Sequence, residues 1–394
     1  MSVNFSGILN KISFVKKTSF IIWLYIAITT VASIHRYLLG TDHINNFLIF
    51  KHSFIHLINN KDLYQYYPDV YSDLFKYSPT FALLMAPFTV IPDFLGIIIW
   101  NLINALTLLF AVKKLPLNEG KKRFVLLFII IELLTSIQNS QSNALMAGLI
   151  LFAFVSFEHR NVFLAALFIS LSFYLKIFGL GAAILFVMYS DKIKFLLYMI
   201  FWISILFIAP LITISYEQLF FLYKQWLHLL ANDTSHTLNF SVMTIISTWF
   251  NSKYRDIYIQ FIGVLFLVLP LFFKGKNQLY SFRLLLLCSI LIWIIIFNHK
   301  AESPTYIIAV LGISLWYATK DYQSKTDTTL LIFAFILTCL SPTDLFPRTI
   351  RQNYIVPYAL KALPCILIWM KIQYELLNNK HKNHPESSLS IHAN

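Results

Sequence analysis

Long apolar runs, each ended by a proline or a short polar stretch, recur along almost the whole chain. They lie near 18–38, 94–112, 124–138, 144–157, 162–175, 177–190, 195–214, 257–273, 281–298, 305–319, 328–341 and 355–371. A helix needs roughly 20 apolar residues to cross about 30 Å of hydrocarbon. Several of the twelve runs are shorter than this, so the pattern predicts about twelve transmembrane helices with soft boundaries.

The polar positions between the runs predict a second kind of element. In the stretch 44–60, Asn45, His52, His56 and Asn59 recur at helical steps among Phe, Leu and Ile. This is the pattern of an amphipathic helix lying along a membrane surface, its polar stripe facing water or a cavity. The segment near 215–230 repeats it, with Glu217, Lys224 and His228 opposite Leu219, Leu222, Trp226 and Leu230. Ser78-Pro79 is a helix start, Ser capping and Pro occupying the first turn. The run after it carries Pro87 and Pro92 and is too short to span, so it dips into the membrane or packs at its edge.

Composition excludes a soluble fold. The 394 residues are 58% hydrophobic and 12% charged, against roughly 45–50% and about 25% in soluble domains. Cys288, Cys339 and Cys365 all fall inside apolar runs, which argues against a disulfide framework. The first run lacks a small-residue cleavage site, so it is expected to stay as a span. A net charge of +13 would suggest nucleic acid in a soluble protein; here it is sorted by side of the membrane, and no nucleic-acid partner is expected. With both termini cytoplasmic, 19 of the 31 Lys and Arg fall on inner segments, above all in the Lys113–Arg123 loop. The positive-inside rule therefore supports a multi-pass protein of the inner (cytoplasmic) membrane. Residues 1–372 form the membrane domain and 373–394 a polar cytoplasmic tail.

The other 12, Arg36, Lys51, Lys61, Lys76, Lys176, Lys224, Lys253, Arg255, Lys300, Arg348, Arg351 and Lys361, fall on the outer side, most of them in the long segments at about 39–93, 215–256 and 342–354, where the chemistry is expected. Lys176 sits between two apolar runs, where a charge must snorkel or meet an anion such as a phosphate. Asn298-His299-Lys300-Ala301-Glu302 emerges on the same face. His299 and Lys300 suit phosphate or sugar hydroxyls, and Glu302 suits a base or a partner for Lys300. Arg348 and Arg351, three apart, can clamp a phosphate or meet lipid headgroups. His52 and His56 have a metal-ligating spacing without a third ligand, so no metal is expected and both read as cavity lining. Glu132 lies within the third run, a functional candidate by its depth. Gln138, Gln141 and Asn143 follow it, suited to binding sugar or capping helices. No Walker motif, GxGxxG, HExxH or paired CxxC is present, and no internal repeat is evident.

Several stretches resemble family 87 of the glycosyltransferases, integral membrane enzymes that use polyprenyl-phosphate sugars. They are Asn60-Lys61-Asp62-Leu63-Tyr64, Tyr77-Ser78-Pro79-Thr80-Phe81-Ala82, Pro87-Phe88, Pro92 and Trp100-Asn101-Leu102-Ile103-Asn104, then Gln141-Ser142-Asn143, Leu175-Lys176 and Asn298–Ser303. The resemblance implies an all-α GT-C-type bundle and catalysis on the extracytoplasmic face. It also implies a hexose, mannose in better-known relatives, passing with inversion from a lipid-linked donor to a lipid or glycan acceptor, with no cofactor. An acidic residue in the first outer loop would be the general base. At the best local match this chain has Asn46, which cannot act as a base. Asp42, one helical turn earlier, is then the first candidate, with Glu302 and Asp62 as alternatives. From residue chemistry alone, a transporter or flippase of a lipid-linked or anionic substrate would use the same basic cavity without a base.

Overall fold

In the computed structural model, residues 18–232, 239–251, 256–272, 279–320 and 322–378 are described. Among them the regular elements are helices. In chain order they are α1 Thr18–Leu38, α2 Asn45–Ile58, α3 Pro79–Leu84, α4 Asp93–Lys114, α5 Glu119–Phe128, α6 Ile130–Gln138, α7 Asn143–Glu158 and α8 Val162–Leu175. There follow α9 Lys192–Ile208, α10 Tyr216–Asn232, α11 Val242–Phe250, α12 Asp256–Val268, α13 Tyr280–Ile296, α14 Tyr306–Thr319, α15 Lys325–Ala334 and α16 Leu363–Asn378. The expected basic residues Lys253 and Arg255 and residues 379–394 of the tail lie outside the described residues.

Three helical stretches are long and apolar enough to cross a bilayer: Ser19–Leu38, Asp93–Lys114 and Lys192–Ile212. The last keeps Ile193, Leu197, Ile200 and Ile212 largely exposed, a surface that fits hydrocarbon rather than water. The other apolar helices are shorter, and the structure breaks several runs that look continuous in sequence. The run 124–138 divides at Ile129 into α5 and α6, and 177–190 forms a tight 3-10 segment, Ile177–Met188. The run 355–371 begins at the end of the π-helical turn Arg351–Ile355, passes through further turns and becomes α-helical only at Leu363, continuing to Asn378. Gln373, Glu375 and Leu376 are buried there, so the helix extends into the stretch read as polar tail.

Helix packing builds two cores. In the larger, α4 packs on α1 and α7, and α13 on α14 and α16. Small residues permit close approach without any hydrophobic drive between helices. At Gly148 an added Cβ would sit 2.9 Å from the Leu108 backbone nitrogen. Ion pairs tie helix ends together. Arg283 grips Glu158 through two 2.6 Å bonds, and Lys320 meets Glu375 at 2.6 Å and Asp327 at 2.8 Å.

The second core is aromatic and comes mostly from the expected outer segments. Phe47, Phe50, Phe75, Phe81, Phe88 and Trp100 are buried with Leu219, Leu222 and Trp226 of α10. The amphipathic reading of α10 matches its packing, with Leu219, Leu222 and Trp226 inward and Glu217, Lys224 and His228 exposed; in α2 the expected stripe is partly covered, since His56 is buried and only Asn59 of its four residues is exposed. The Ser78 hydroxyl accepts from the Phe81 N–H and donates to the Tyr174 carbonyl. The cap thus starts α3 and also fastens it to the end of α8. Thr80 continues the attachment with 2.7 Å bonds to the Leu206 carbonyl and the Tyr223 hydroxyl, so this proline-rich stretch packs against protein.

Candidate functional site

The site is organised around the end of α6. Ser140 adopts a left-handed conformation (φ 47°), which turns the chain back on the helix. Its N–H bonds the Ile137 carbonyl at 2.9 Å and the Gln141 N–H bonds the Ser136 carbonyl at 3.3 Å, the paired bonds of a Schellman cap. A serine there is strained relative to glycine, and neighbouring side chains hold it. Trp100 donates to the Ser140 carbonyl at 2.8 Å, and Asn101 to the Ile137 carbonyl at 3.3 Å. Asn104 accepts from the Leu145 N–H at 3.1 Å. The three polar side chains of Trp100-Asn101-Leu102-Ile103-Asn104 thus grip the turn between α6 and α7 on both sides.

That turn presents Gln141 and Asn143 to Lys176. The ammonium donates to Asn143 Oδ1 at 2.7 Å and approaches Gln141 Oε1 at 3.5 Å. Asn143 Nδ2 donates to Gln141 Oε1 at 2.6 Å and to the Pro304 carbonyl at 3.0 Å. Gln141 Nε2 then donates to Glu302 Oε2 at 3.1 Å. The Tyr77 ring lies 5.7 Å from the Lys176 nitrogen, and the Ser142 hydroxyl reaches the Tyr77 hydroxyl at 3.4 Å. The result is one connected polar group: a cation, two amides, a phenol and a carboxylate.

Its electrostatics follow from desolvation. Burial brings the Lys176 ammonium down to about 8, although Glu302 pulls the other way. Burial also raises the Tyr77 phenol, with Ser142 opposing and Glu302 adding to the rise. A lysine so poorly solvated gains strongly from an arriving anion. The carboxylate beside it accepts hydrogen bonds and protons.

The other expected residues lie elsewhere or are engaged differently. Asp42 is exposed on the 3-10 turn Thr41–Ile44 that leads into α2. Asp62 accepts from the Tyr64 N–H at 3.0 Å and from Gln65 at 3.1 Å, shaping its own loop. Asn46 donates to the Asn139 carbonyl at 2.8 Å. An ionised Asp in its place would present only acceptors to that carbonyl. Asn46 therefore helps hold the α6 turn.

His56 is buried, stacked 4.0 Å from Tyr67 and 3.3 Å from the Tyr71 hydroxyl. Desolvation, then His52 and Lys61, lower it to about 4. It is packed against aromatics, while His52 is half-buried. No cluster of three or more metal-ligating side chains occurs among the described residues. His299 is exposed and Lys300 half-buried, its N–H held by Asn298. Arg348 is exposed, and Arg351 donates to the Pro342 and Thr343 carbonyls of its own loop, both at 3.1 Å.

Glu132 forms a buried ion pair with Lys361 at 2.7 Å. From the sequence, Lys361 counts among the 12 outer basic residues and Glu132 has no identifiable partner. A separation of 229 residues leaves no local signal for the pair. Tyr77 entered only as part of a motif, since a lone Tyr carries no pattern that reveals a neighbouring Lys.

The model of glycosyltransferase family 87 matches residues 75–342, more than half of the chain. The chain belongs to this family and is a membrane glycosyltransferase. The matched region contains Tyr77, Trp100, Gln141, Asn143, Lys176 and Glu302, all in the network just described or gripping its turn. It leaves out Asp42, Asn46 and Asp62. No curated protein matches the chain.

Proposed function

We propose that the chain transfers a hexose from a polyprenyl-phosphate donor to a lipid or glycan hydroxyl on the extracytoplasmic face of the inner membrane. The bundle would cross the membrane about twelve times in a GT-C arrangement, with both termini cytoplasmic. One observation carries the reading: Lys176 and Glu302, far apart in sequence, share the amide of Gln141. A phosphate-binding cation and a proton acceptor then sit on either side of neutral hydrogen-bonding groups suited to a sugar.

In this mechanism Lys176 receives the donor phosphate, with Gln141 and Asn143 orienting the sugar. Glu302 takes the proton from the acceptor hydroxyl as its oxygen attacks the anomeric carbon. The carbon–oxygen bond to phosphate breaks, the electron pair leaves with the phosphate, and Lys176 stabilises that charge. Attack opposite the leaving group inverts the anomeric centre. Glu302 then returns its proton to water. We take Glu302 over Asp42 because it shares the Lys176 network, whereas Asp42 is exposed on a turn.

Purified protein in liposomes, supplied with labelled polyprenyl-phosphate sugars and candidate acceptors, tests this. The expected result is glycoside formation, lost by about 10²–10⁴-fold in Glu302→Gln with donor binding retained, and kept in Asp42→Asn. The opposite pattern would return the base to Asp42. Donor crossing the bilayer without product would overturn transfer in favour of transport.

A further inference from the structure

Behind the Lys176–Glu302 network, at the far end of α6, lies the pair formed by Glu132 and Lys361. Its side chains are 0% and 1% exposed and 2.7 Å apart. The Lys361 nitrogen also lies 4.9 Å from the Tyr306 ring, and the Lys361 carbonyl accepts from Thr338 at 2.8 Å. Three segments meet there. Glu132 stands on α6, whose cap delivers Gln141 and Asn143. Tyr306 opens α14 directly after the 302–305 turn, which carries Glu302. Lys361 precedes α16 and fixes the C-terminal segment to both.

Desolvating two charges in an apolar bundle costs more than packing hydrophobic side chains of the same volume, so stability alone is a poor reason for such a pair. Direction and distance are what an ion pair supplies and a greasy contact does not. We propose that Glu132 and Lys361 are positioning residues for the Lys176–Glu302 network: they hold α6 against the start of α14 and so set the gap that Gln141 bridges to Glu302. The catalytic consequence rests on the transfer reaction proposed above, whereas the geometric consequence does not.

The test uses the full chain with Glu132→Leu and Lys361→Met combined, which removes both charges and leaves neither stranded. Two readouts are taken. One is transfer kinetics; the other is acylation of Lys176 by an amine-reactive ester across pH, followed by peptide mass spectrometry. A folded double variant, with its melting temperature at or above the parent's, should lose about tenfold or more in kcat while donor KM stays within a few-fold. Its Lys176 labelling midpoint should rise from about 8 towards that of an ordinary lysine as water reaches a loosened network. Parental kcat and parental midpoint in the folded variant would overturn the proposal. If the parent transfers no sugar, the function proposed above fails, and the labelling midpoint alone decides this inference. Should the double variant not fold, Glu132→Asp keeps both charges, shortens the reach by one methylene and is read the same way.

Discussion

Donor binding should depend on pH through Lys176, and the dependence can be worked out in advance. In the mechanism proposed above, the group that would meet the phosphate is an amine brought to about 8 by burial in the free protein. Only its protonated form attracts the donor, whose phosphodiester keeps one negative charge throughout this range. Below pH 8 the competent fraction approaches one. At pH 9 it is about a tenth, and apparent affinity falls tenfold for each further unit, because observed affinity scales with the competent fraction.

The neighbouring Tyr77 phenol, pushed upward by burial, stays neutral over the same span. Donor binding, or kcat/KM for donor, measured from pH 6 to 10 should therefore be flat and then fall with a midpoint near 8. Lys176→Arg keeps its charge to high pH and should remove the descending limb. Lys176→Met loses a charge-assisted hydrogen bond and should weaken binding by about 10–100-fold at neutral pH, with a flatter profile. A parental profile flat to pH 9.5, or an unchanged limb in Lys176→Arg, would refute the assignment.

Two structural predictions follow from the grip on the α6–α7 turn and from helix packing. Asn104→Ala strands the Leu145 N–H and should destabilise by about 1–3 kcal/mol; hydrogen exchange should quicken over residues 137–145, and unchanged exchange there would count against the clamp. Gly148→Ala places a methyl 2.9 Å from the α4 backbone at Leu108. It should lower the thermal midpoint by an amount corresponding to about 1–3 kcal/mol, with a neutral result showing that α7 can move away.

Local pattern along the chain was enough to call for an apolar solvent and to mark the individual helices. Apolar runs call for helices, because an unpaired backbone in lipid is prohibitive, and three helical stretches are long and apolar enough to cross a bilayer. Ser78-Pro79 starts α3 where a local cap can start it, since capping involves groups only three residues apart. The polar stripe of α10 gave its orientation for the same short-range reason, whereas that of α2 did not, since His56 packs against Tyr67 and Tyr71. Even so, the break at Ile129 and the late start of α16 were not legible, because helix ends in a packed bundle answer to neighbours as well as to propensity.

The site itself was only half legible. Lys176 and Glu302 stood out as charges in greasy surroundings, but nothing local said that Gln141 would join them or that Arg351 would turn to its own loop. Asn46 read as a defective base, and the fold gives it the Asn139 carbonyl to hold. Lys361 read as one more outer charge until packing brought it to Glu132, 229 residues away. A charged side chain states that it needs a partner. Which partner it finds is decided by the packing of helices remote in the chain, where desolvation makes each choice costly to change.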